Sequence, residues 1–277
     1  MKEKIAAQIK EYVVWNSENR LMGTDIPYYG EPLVGFASAD DPLFEEFKTA
    51  VGPMHMTPRE AFDRSPGLES FAGGTVVSVV LPVSEDLRAS NRQQKEWPSR
   101  EWALLRSFGD GVFLPAFTAW LKELFTGMGY RTVAPAEEGW FKIERMAGGI
   151  ASNWSQRHIA YAAGLGTFSL NEGFITEKGI AVKFTSVVTE CRIEPDKRTA
   201  RNHLENCLYY RNGTCGACIR RCPVGAITKE KHDKFVCYER CYGEGSRKVA
   251  EAFGGNPEKG AGCGLCQTNV PCEFIRP

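Results

Sequence analysis

With 277 residues, a hydrophobic fraction of 43% and a charged fraction of 25%, the chain is long enough for a large core or for one main domain with a smaller one attached. A formal net charge of zero excludes a molecule drawn as a whole to nucleic acid or to a membrane surface. The opening run MKEKIAAQIKEYVVW has no apolar signal core and no twin-arginine pair, and the longest apolar run, Thr75 to Val83, is too short to span a bilayer, so a cytoplasmic location is expected.

Residues 3–15 set Ile5, Ile9 and Val13 four apart with Ala6 beside them, a helical stripe suited to packing on a domain surface. Pro27 to Gly30 break it, Leu33 to Ala37 reads as a short strand, and Asp40-Asp41-Pro42 opens a second helix. Met54 to Gly74, rich in Pro, Gly and Met, reads as loop. Thr75 to Leu81 is β-branched and almost wholly apolar, which predicts a strand buried on both faces. Residues 84–100 are polar without a period and read as an exposed loop or short helix. Trp102, Leu105, Phe113, Phe117, Trp120, Leu121, Leu124 and Phe125 stand at helical spacing, with a break at Gly109–Gly111, and read as core rather than as a cofactor box. Gly127 and Gly129 end that helix, and Arg131 to Ala134 returns as a strand. Ser152 or Asn153 caps a helix through Ala162 that stops at Gly164 and Gly166. Phe174 to Thr176, the turn Glu177-Lys178-Gly179, and Ile180 to Glu190 read as a β-hairpin. This alternation gives an α+β sandwich, and the polar stretch 192–206 links it to a cysteine-rich C-terminal region.

All ten cysteines lie between Cys191 and Cys272. Residues 207–223 read CLYYRNGTCGACIRRCP, which holds Cys207, the CxxC pair Cys215 and Cys218, and Cys222 before Pro223. Cys237, Cys241, Cys263, Cys266 and Cys272 come after them. A cytosolic chain keeps thiols reduced, so metal ligation outranks disulfides. A CxxxCP tail with cysteines downstream is the pattern of iron–sulfur ligation, in which the cysteine before proline often serves a different cluster from its neighbours. A four-thiol zinc site would use four of the nine cysteines from Cys207 onward and leave five over; two cubane clusters use eight. Gly216 and Gly264 next to these cysteines let backbone amides approach sulfur.

The run RHIAYAAGLGTFSLNEGFITEKGIAVKFTSVVTE, then CGACIRRCPVGAI and a terminal GCGLCQTNVPC, resembles the epoxyqueuosine reductase and reductive dehalogenase superfamily over roughly residues 70–277. The resemblance implies a nitroreductase-like, cobalamin-binding α/β sandwich at 1–191, followed by a small ferredoxin-like domain at 192–277 with two 4Fe-4S clusters. The clusters would pass electrons singly to the cobalt of base-off cobalamin. It also implies a crossed ligand pattern: Cys207, Cys215, Cys218 and Cys272 for one cluster, Cys222, Cys237, Cys263 and Cys266 for the other. The chain departs from the pattern in two places. Seven residues separate Cys207 from Cys215 where the family has two, and the last motif reads VPC where the family usually has CP. Cys241 is an alternative to Cys237 that spacing leaves open, and Cys191 reads as structural.

For cobalamin the matching positions are Ser152, Asn153, Arg157, Ala163, Gly164, Leu165, Gly166, Phe168 and Asn171; the competing reading of the same stretch is a plain helix C-cap with left-handed glycines. Tyr161, His158 and Arg157 are the groups that could donate a proton or bind an anion near cobalt. Epoxyqueuosine reductases carry an acidic residue just before this helix, where this chain has Ala151, Ser152, Asn153 and Trp154; a tRNA-reading repeat domain after Cys272 and a Tat signal are missing too. The favoured expectation is a cytoplasmic reductase acting on a small molecule or on the corrinoid itself, fed by a low-potential donor of ferredoxin or flavodoxin type. The alternatives are a ferredoxin-like electron-transfer protein without corrinoid, and tRNA modification. Nucleic acid and membrane are not expected as partners, and Arg220, Arg221, Arg247 and Lys248 read as a solvated face.

Overall fold

The computed structural model describes residues 1–68, 70–146 and 148–277. At its centre every residue of Thr75–Pro82 is buried, and this strand (β2) pairs antiparallel with β1 (Leu33–Ser38). On its other side β2 pairs antiparallel with Val182–Thr189 (β8), and β3 (Thr132–Val133) completes a sheet of order β1-β2-β8-β3. Side chains of a strand alternate between faces, so an apolar run needs cover on both. Val77, Val79 and Leu81 meet Ile5, Ile9 and Val13 of α1 (Lys2–Trp15), together with Phe113, Phe117, Leu121 and Phe125. Val76 faces the other way, into Phe44, Phe47, Phe62, Trp154 and Ile159. The N-terminal helix, the buried strand and the aromatic core are therefore as the sequence predicts. Cys191 is buried and packs its sulfur on Met1 Sδ at 3.6 Å, a structural role.

The helix expected after Asp40-Asp41-Pro42 is α2 (Leu43–Ala50). Two local readings change. Inside the stretch read as loop, Met54 to Gly74, stands α3 (Pro58–Asp63). Thr57 Oγ1 accepts the Glu60 N–H while the Glu60 carboxylate accepts the Thr57 N–H, a reciprocal cap with Pro58 in the first turn. The polar stretch 84–100 takes the second of its two expected forms, a short helix, α4 (Glu85–Arg92), which buries Leu87 and Asn91, before α5 (Arg100–Leu104). Gly109–Gly111 do not break the chain either: a π-helix, Leu105–Phe113, runs into α6 (Leu114–Thr126), with the Leu114 N–H bonded to Gly109 O five residues back. The widened turn delivers Asp110 into the interior, where it accepts hydrogen bonds from Tyr29 Oη (2.6 Å) and Lys183 Nζ (2.7 Å) and lies 3.3 Å from Arg106. Burial pushes the Asp110 carboxyl up, but Lys183 and Arg106 outweigh it and hold it below its ordinary value.

The hairpin expected around Glu177-Lys178-Gly179 keeps its turn but not its partner. Phe174–Thr176 (β7) pairs instead with β6 (Gly166–Phe168), while β8 aligns eight residues with β2. β2 offers β8 eight residues of pairing where β7 has three, and so satisfies more of its backbone. A second small hairpin, β4 (Ile143–Met146) with β5 (Gly149–Ser152), precedes α7 (Gln156–Ala162).

Residues 192–206 have no regular structure yet are pinned along the free edge of β1, as exposed sheet edges require. The Phe36 N–H donates to Asp196 Oδ2 at 2.9 Å, the Asp196 N–H donates to Phe36 O at 2.7 Å, and Lys2 Nζ pairs with Asp196 at 2.5 Å. The remaining chain forms four short helices, α8 (Leu208–Asn212), α9 (Ala217–Arg221), α10 (Lys234–Tyr242) and α11 (Glu244–Ala252). Arg221 is not on a solvated face: Nε bonds the carbonyls of Leu265 (3.1 Å) and Thr268 (3.0 Å), and Nη1 bonds that of Gln94 (2.7 Å). Among the described residues no helix is long and apolar enough to cross a membrane.

Candidate metal centres

Cys207 stands at the N-cap of α8, Cys215 and Cys218 flank the start of α9, and Cys272 lies in the C-terminal run. These segments bring the four thiols to one cavity of about 370 Å³, mouth included, walled by Leu170, Ile175, Ile180 and Val270. The wall belongs to the β6–β7 hairpin and the turn after it, so residues on both sides of position 191 share this core. The C-terminal run is fixed where it enters. Ile180 N–H donates to Cys272 O at 2.8 Å, and the buried Glu273 carboxylate takes Arg92 (2.7 Å), Arg88 (3.2 Å) and the Asn269 N–H (2.8 Å). Burial, then the neighbouring thiols, push Cys218 up to about 11 and Cys272 up to about 12. Four crowded sulfurs in an apolar pocket become thiolates only around a central cation, and so the donor set fits a metal cluster. Among the described residues no three His, Cys, Asp or Glu side chains converge on a single-ion position; the thiols border a cavity instead.

A second group gathers Cys222, Cys237, Cys241, Cys263 and Cys266. Cys222 closes α9 in extended backbone, which a following proline favours, and its sulfur accepts the Ala226 N–H at 3.2 Å. α10 presents Cys237 and Cys241 one turn apart. Cys263 and Cys266 flank Gly264 at φ +66°, where a Cβ would fall inside the Trp102 ring; only glycine lets this loop lie on α5. The electrostatics tie the group together: Cys263 feels Cys237 and Cys222, and Cys266 feels Cys263 and Cys237.

Charge distinguishes this second group. Glu172, a non-glycine residue at φ +55°, lies 3.2 Å from His232 Nδ1 and 3.4 Å from Lys234 Nζ, and its carbonyl accepts the Arg157 guanidinium. Burial lowers His232, but Cys237 and Glu172 outweigh it and lift the imidazole to about 9. His232 Nε2 is buried without a hydrogen-bond partner, and Cys237 is the neighbour that raises the ring most. Arg240 Nε is likewise buried without a partner, beside Cys263, while its guanidinium stacks on Trp97 at 3.3 Å. Two unpartnered donors bordering a thiol group are what the sulfides of a bound cluster would accept, so this donor set fits as well.

The corrin positions are used differently. Gly164 (φ +74°) and Leu165 close α7 with N–H bonds to Tyr161 O and Ala160 O, both 3.0 Å, a helix C-cap of the Schellman kind. A Cβ on Gly166 would collide with the Ile175 carbonyl. Ser152 Oγ donates to Trp154 O, Asn153 binds Lys142 N–H and Trp140 O, and Ala163 is buried. Asn171 lies between the two thiol groups: it lines the first cavity and donates to Cys266 O at 3.0 Å. In this arrangement Ser152, Asn153 and Asn171 hold internal partners and Gly166 packs on the chain's own backbone, while Arg157 and Gly164 are exposed. His158 also departs from expectation. Its ring packs among Phe168 (4.6 Å), Phe47 (5.1 Å) and His55 (6.4 Å), with Nδ1 2.8 Å from Ser155 Oγ. Burial first, then His55 and Arg157, bring it down to about 3, which favours the neutral ring. Tyr161 stands beside Phe168, 6.1 Å between rings.

No protein-family model and no curated protein matches the chain. An epoxyqueuosine reductase from Streptococcus thermophilus does superpose on it, with a TM-score of 0.56 at 14% identity, over 100% of this chain and 68% of that one. A selenomethionine-labelled epoxyqueuosine reductase gives 0.51 at 17% identity, over 98% of this chain and 65% of that one. The chain has the epoxyqueuosine reductase fold. It spans about two thirds of the length of those proteins.

Within this epoxyqueuosine reductase fold Cys207, Cys215, Cys218 and Cys272 border one cavity, while Cys222, Cys237, Cys263 and Cys266 are coupled electrostatically to one another and to Cys241. Glu172, His232, Lys234 and Arg240 were not predicted. His232, one of only four histidines, five residues before Cys237, is the one that a search for polar neighbours of the cysteines would have found. Glu172 carries no such mark, because only the turn after Asn171 brings it across to α10.

Proposed function

We propose that this chain is an iron–sulfur reductase with two 4Fe-4S clusters, one on Cys207, Cys215, Cys218 and Cys272, the other on Cys222, Cys263, Cys266 and one of the α10 thiols. The observation that carries the reading is the cavity bordered by four thiols drawn from separate segments. When bound, such clusters supply single electrons at low potential. The residues around them would do the rest: Leu170, Ile175, Ile180 and Val270 keep water from the first, and His232 and Arg240 offer donors to the second. The reading divides the molecule into a nitroreductase-like unit, 1–191, and a ferredoxin-like unit, 192–277. A cytoplasmic donor of ferredoxin or flavodoxin type would load it, and a small-molecule acceptor would be reduced near Arg157, Tyr161 and Phe168, the half-open positions beside Glu172.

The shared fold favours a second reading in which the acceptor is base-off cobalamin or the corrinoid is itself the substrate. On that reading Ser152, Asn153, Arg157 and Asn171 must exchange their internal partners for the corrin amides. The same fold raises tRNA modification, against which stand the non-acidic residues Ala151 to Trp154. Protein purified and reconstituted without oxygen is expected to carry about eight irons and eight acid-labile sulfides per chain. Stoichiometric zinc, or fewer than about four irons, sinks the proposal. Adding cobalamin to the reduced protein separates the readings, since only the second changes the corrinoid spectrum. Binding of tRNA at low salt would revive the third.

A further inference from the structure

The second thiol group offers five sulfurs to a cluster that takes four. Cys222, Cys263 and Cys266 come from the end of α9 and from the Gly264 loop, so the surplus lies on α10. There Cys237 and Cys241 are four residues apart, which puts them on one face of the helix as neighbours. Their sulfurs interact directly, and each is the strongest influence on the other. Both also reach the same third party: Cys241 feels Cys263 and Cys266, and those two feel Cys237.

The helix is pinned at both ends. Asp233 Oδ1 accepts the N–H groups of Phe235 and Val236, each at 3.1 Å, at its start. At its end Cys241 O accepts Ser246 Oγ (2.6 Å) and the N–H of Gly262 (3.2 Å), the residue before Cys263. α10 therefore cannot swing one thiol away without breaking the link to the loop that carries Cys263 and Cys266. Each iron of a cubane takes one thiolate, and with Cys222, Cys263 and Cys266 on three irons one iron is left for the two α10 thiols. They can serve the same iron in turn, by side-chain rotation on a fixed helix.

We infer that Cys237 and Cys241 are interchangeable ligands for one iron of the second cluster, with Cys237 the resident because His232 Nε2 faces it, and Cys241 the reserve. The inference rests on the two-cluster reading and adds to it a ligand position with a built-in substitute. Exchange moves the iron–thiolate bond away from His232, so the two ligation states differ in the hydrogen bonding of the ligating sulfur.

Iron and sulfide counts on reconstituted full-length protein test this without any activity assay. Wild-type protein, C237A and C241A are each expected to hold about eight irons, C222A about four, and the C237A/C241A pair about four. The reduced second cluster of C237A is expected to give a shifted EPR signal, while that of C241A matches wild type. A folded C237A, judged by circular dichroism, that drops to about four irons overturns the inference, and so does a C241A that does. Where the double variant does not fold, the single variants decide. Wild-type protein with far fewer than eight irons overturns the two-cluster reading as well, so the two failures are told apart.

Discussion

Cys218 and Cys237 sit in the two thiol groups and are driven in opposite directions. Burial and neighbouring thiols raise Cys218 to about 11, whereas Cys241, and then His232, bring Cys237 down to about 5 against its own burial. The first cavity has an apolar wall, and among the described residues no cationic side chain lines it. The second is bracketed by Arg157, Arg221, His232, Lys234 and Arg240, with the Glu172 carboxylate among them. An added electron is stabilised by positive charge and donated hydrogen bonds and resisted in an apolar pocket. On the proposed reading the second cluster is therefore the easier to reduce, and electrons run from the first group to the second, toward the unit that carries Arg157 and Tyr161.

The most severe way to break the contrast is to remove one side of it. Cys218→Ala should cost about half the iron, and the second group should survive, because only Cys222 shares α9 with Cys218 while α10, Trp102 and the Gly264 loop lie elsewhere; iron analysis with EPR checks both halves. Glu273→Gln acts on the wall. It leaves Arg88 and Arg92 without the buried carboxylate that anchors the run after Cys272, and should lower stability by about 3 kcal/mol in denaturant unfolding. An unchanged midpoint would mean that the C-terminal run closes the first cavity without this anchor. Lys234→Glu sharpens the comparison instead. Reversing a charge beside Glu172 and Cys237 should lower the potential of the second cluster by on the order of tens of mV and leave the first in place. Redox titration followed by EPR resolves the two, and equal shifts in both would undo the assigned order.

How much of this was legible obeys the same division. Cys215-x-x-Cys218 and Cys263-x-x-Cys266 declare themselves through spacing, since two intervening residues aim both sulfurs inward, and the buried β2 declares itself through eight residues with no solvent-compatible face. The charged frame of the second group does not. Glu172 and His232 are 60 residues apart and meet only because β7 leaves the expected hairpin and pairs with β6. The AGLG run is ambiguous for a related reason: a glycine needed for a left-handed helix cap and a glycine needed for a ligand look alike in sequence. In the structure Gly164 closes α7 at positive φ and the Ile175 carbonyl fills the space over Gly166. The π-helix is hidden in turn, because nothing in Gly109-Asp110-Gly111 says that a buried Tyr29 and Lys183 wait for the aspartate.

The smallest expected effect concerns the histidines, which diverge as the thiols do. His232, paired with Glu172, is raised to about 9, whereas burial takes His158 down to about 3 and His55 to about 4. A group with a depressed folded value binds its proton more readily when unfolded. The contribution of His158 and His55 is therefore whole above about 6.5 and lost as pH falls toward their folded values. His158→Phe keeps the ring contacts with Phe47 and Phe168, loses only the Ser155 bond, and removes one of the two protons that unfolding takes up in this window. Between pH 6.5 and 5 the fall of the urea midpoint with pH should shrink by roughly half relative to wild type. A fall as steep as that of wild type would mean that His158 is protonated in the folded chain and restore it as a proton donor.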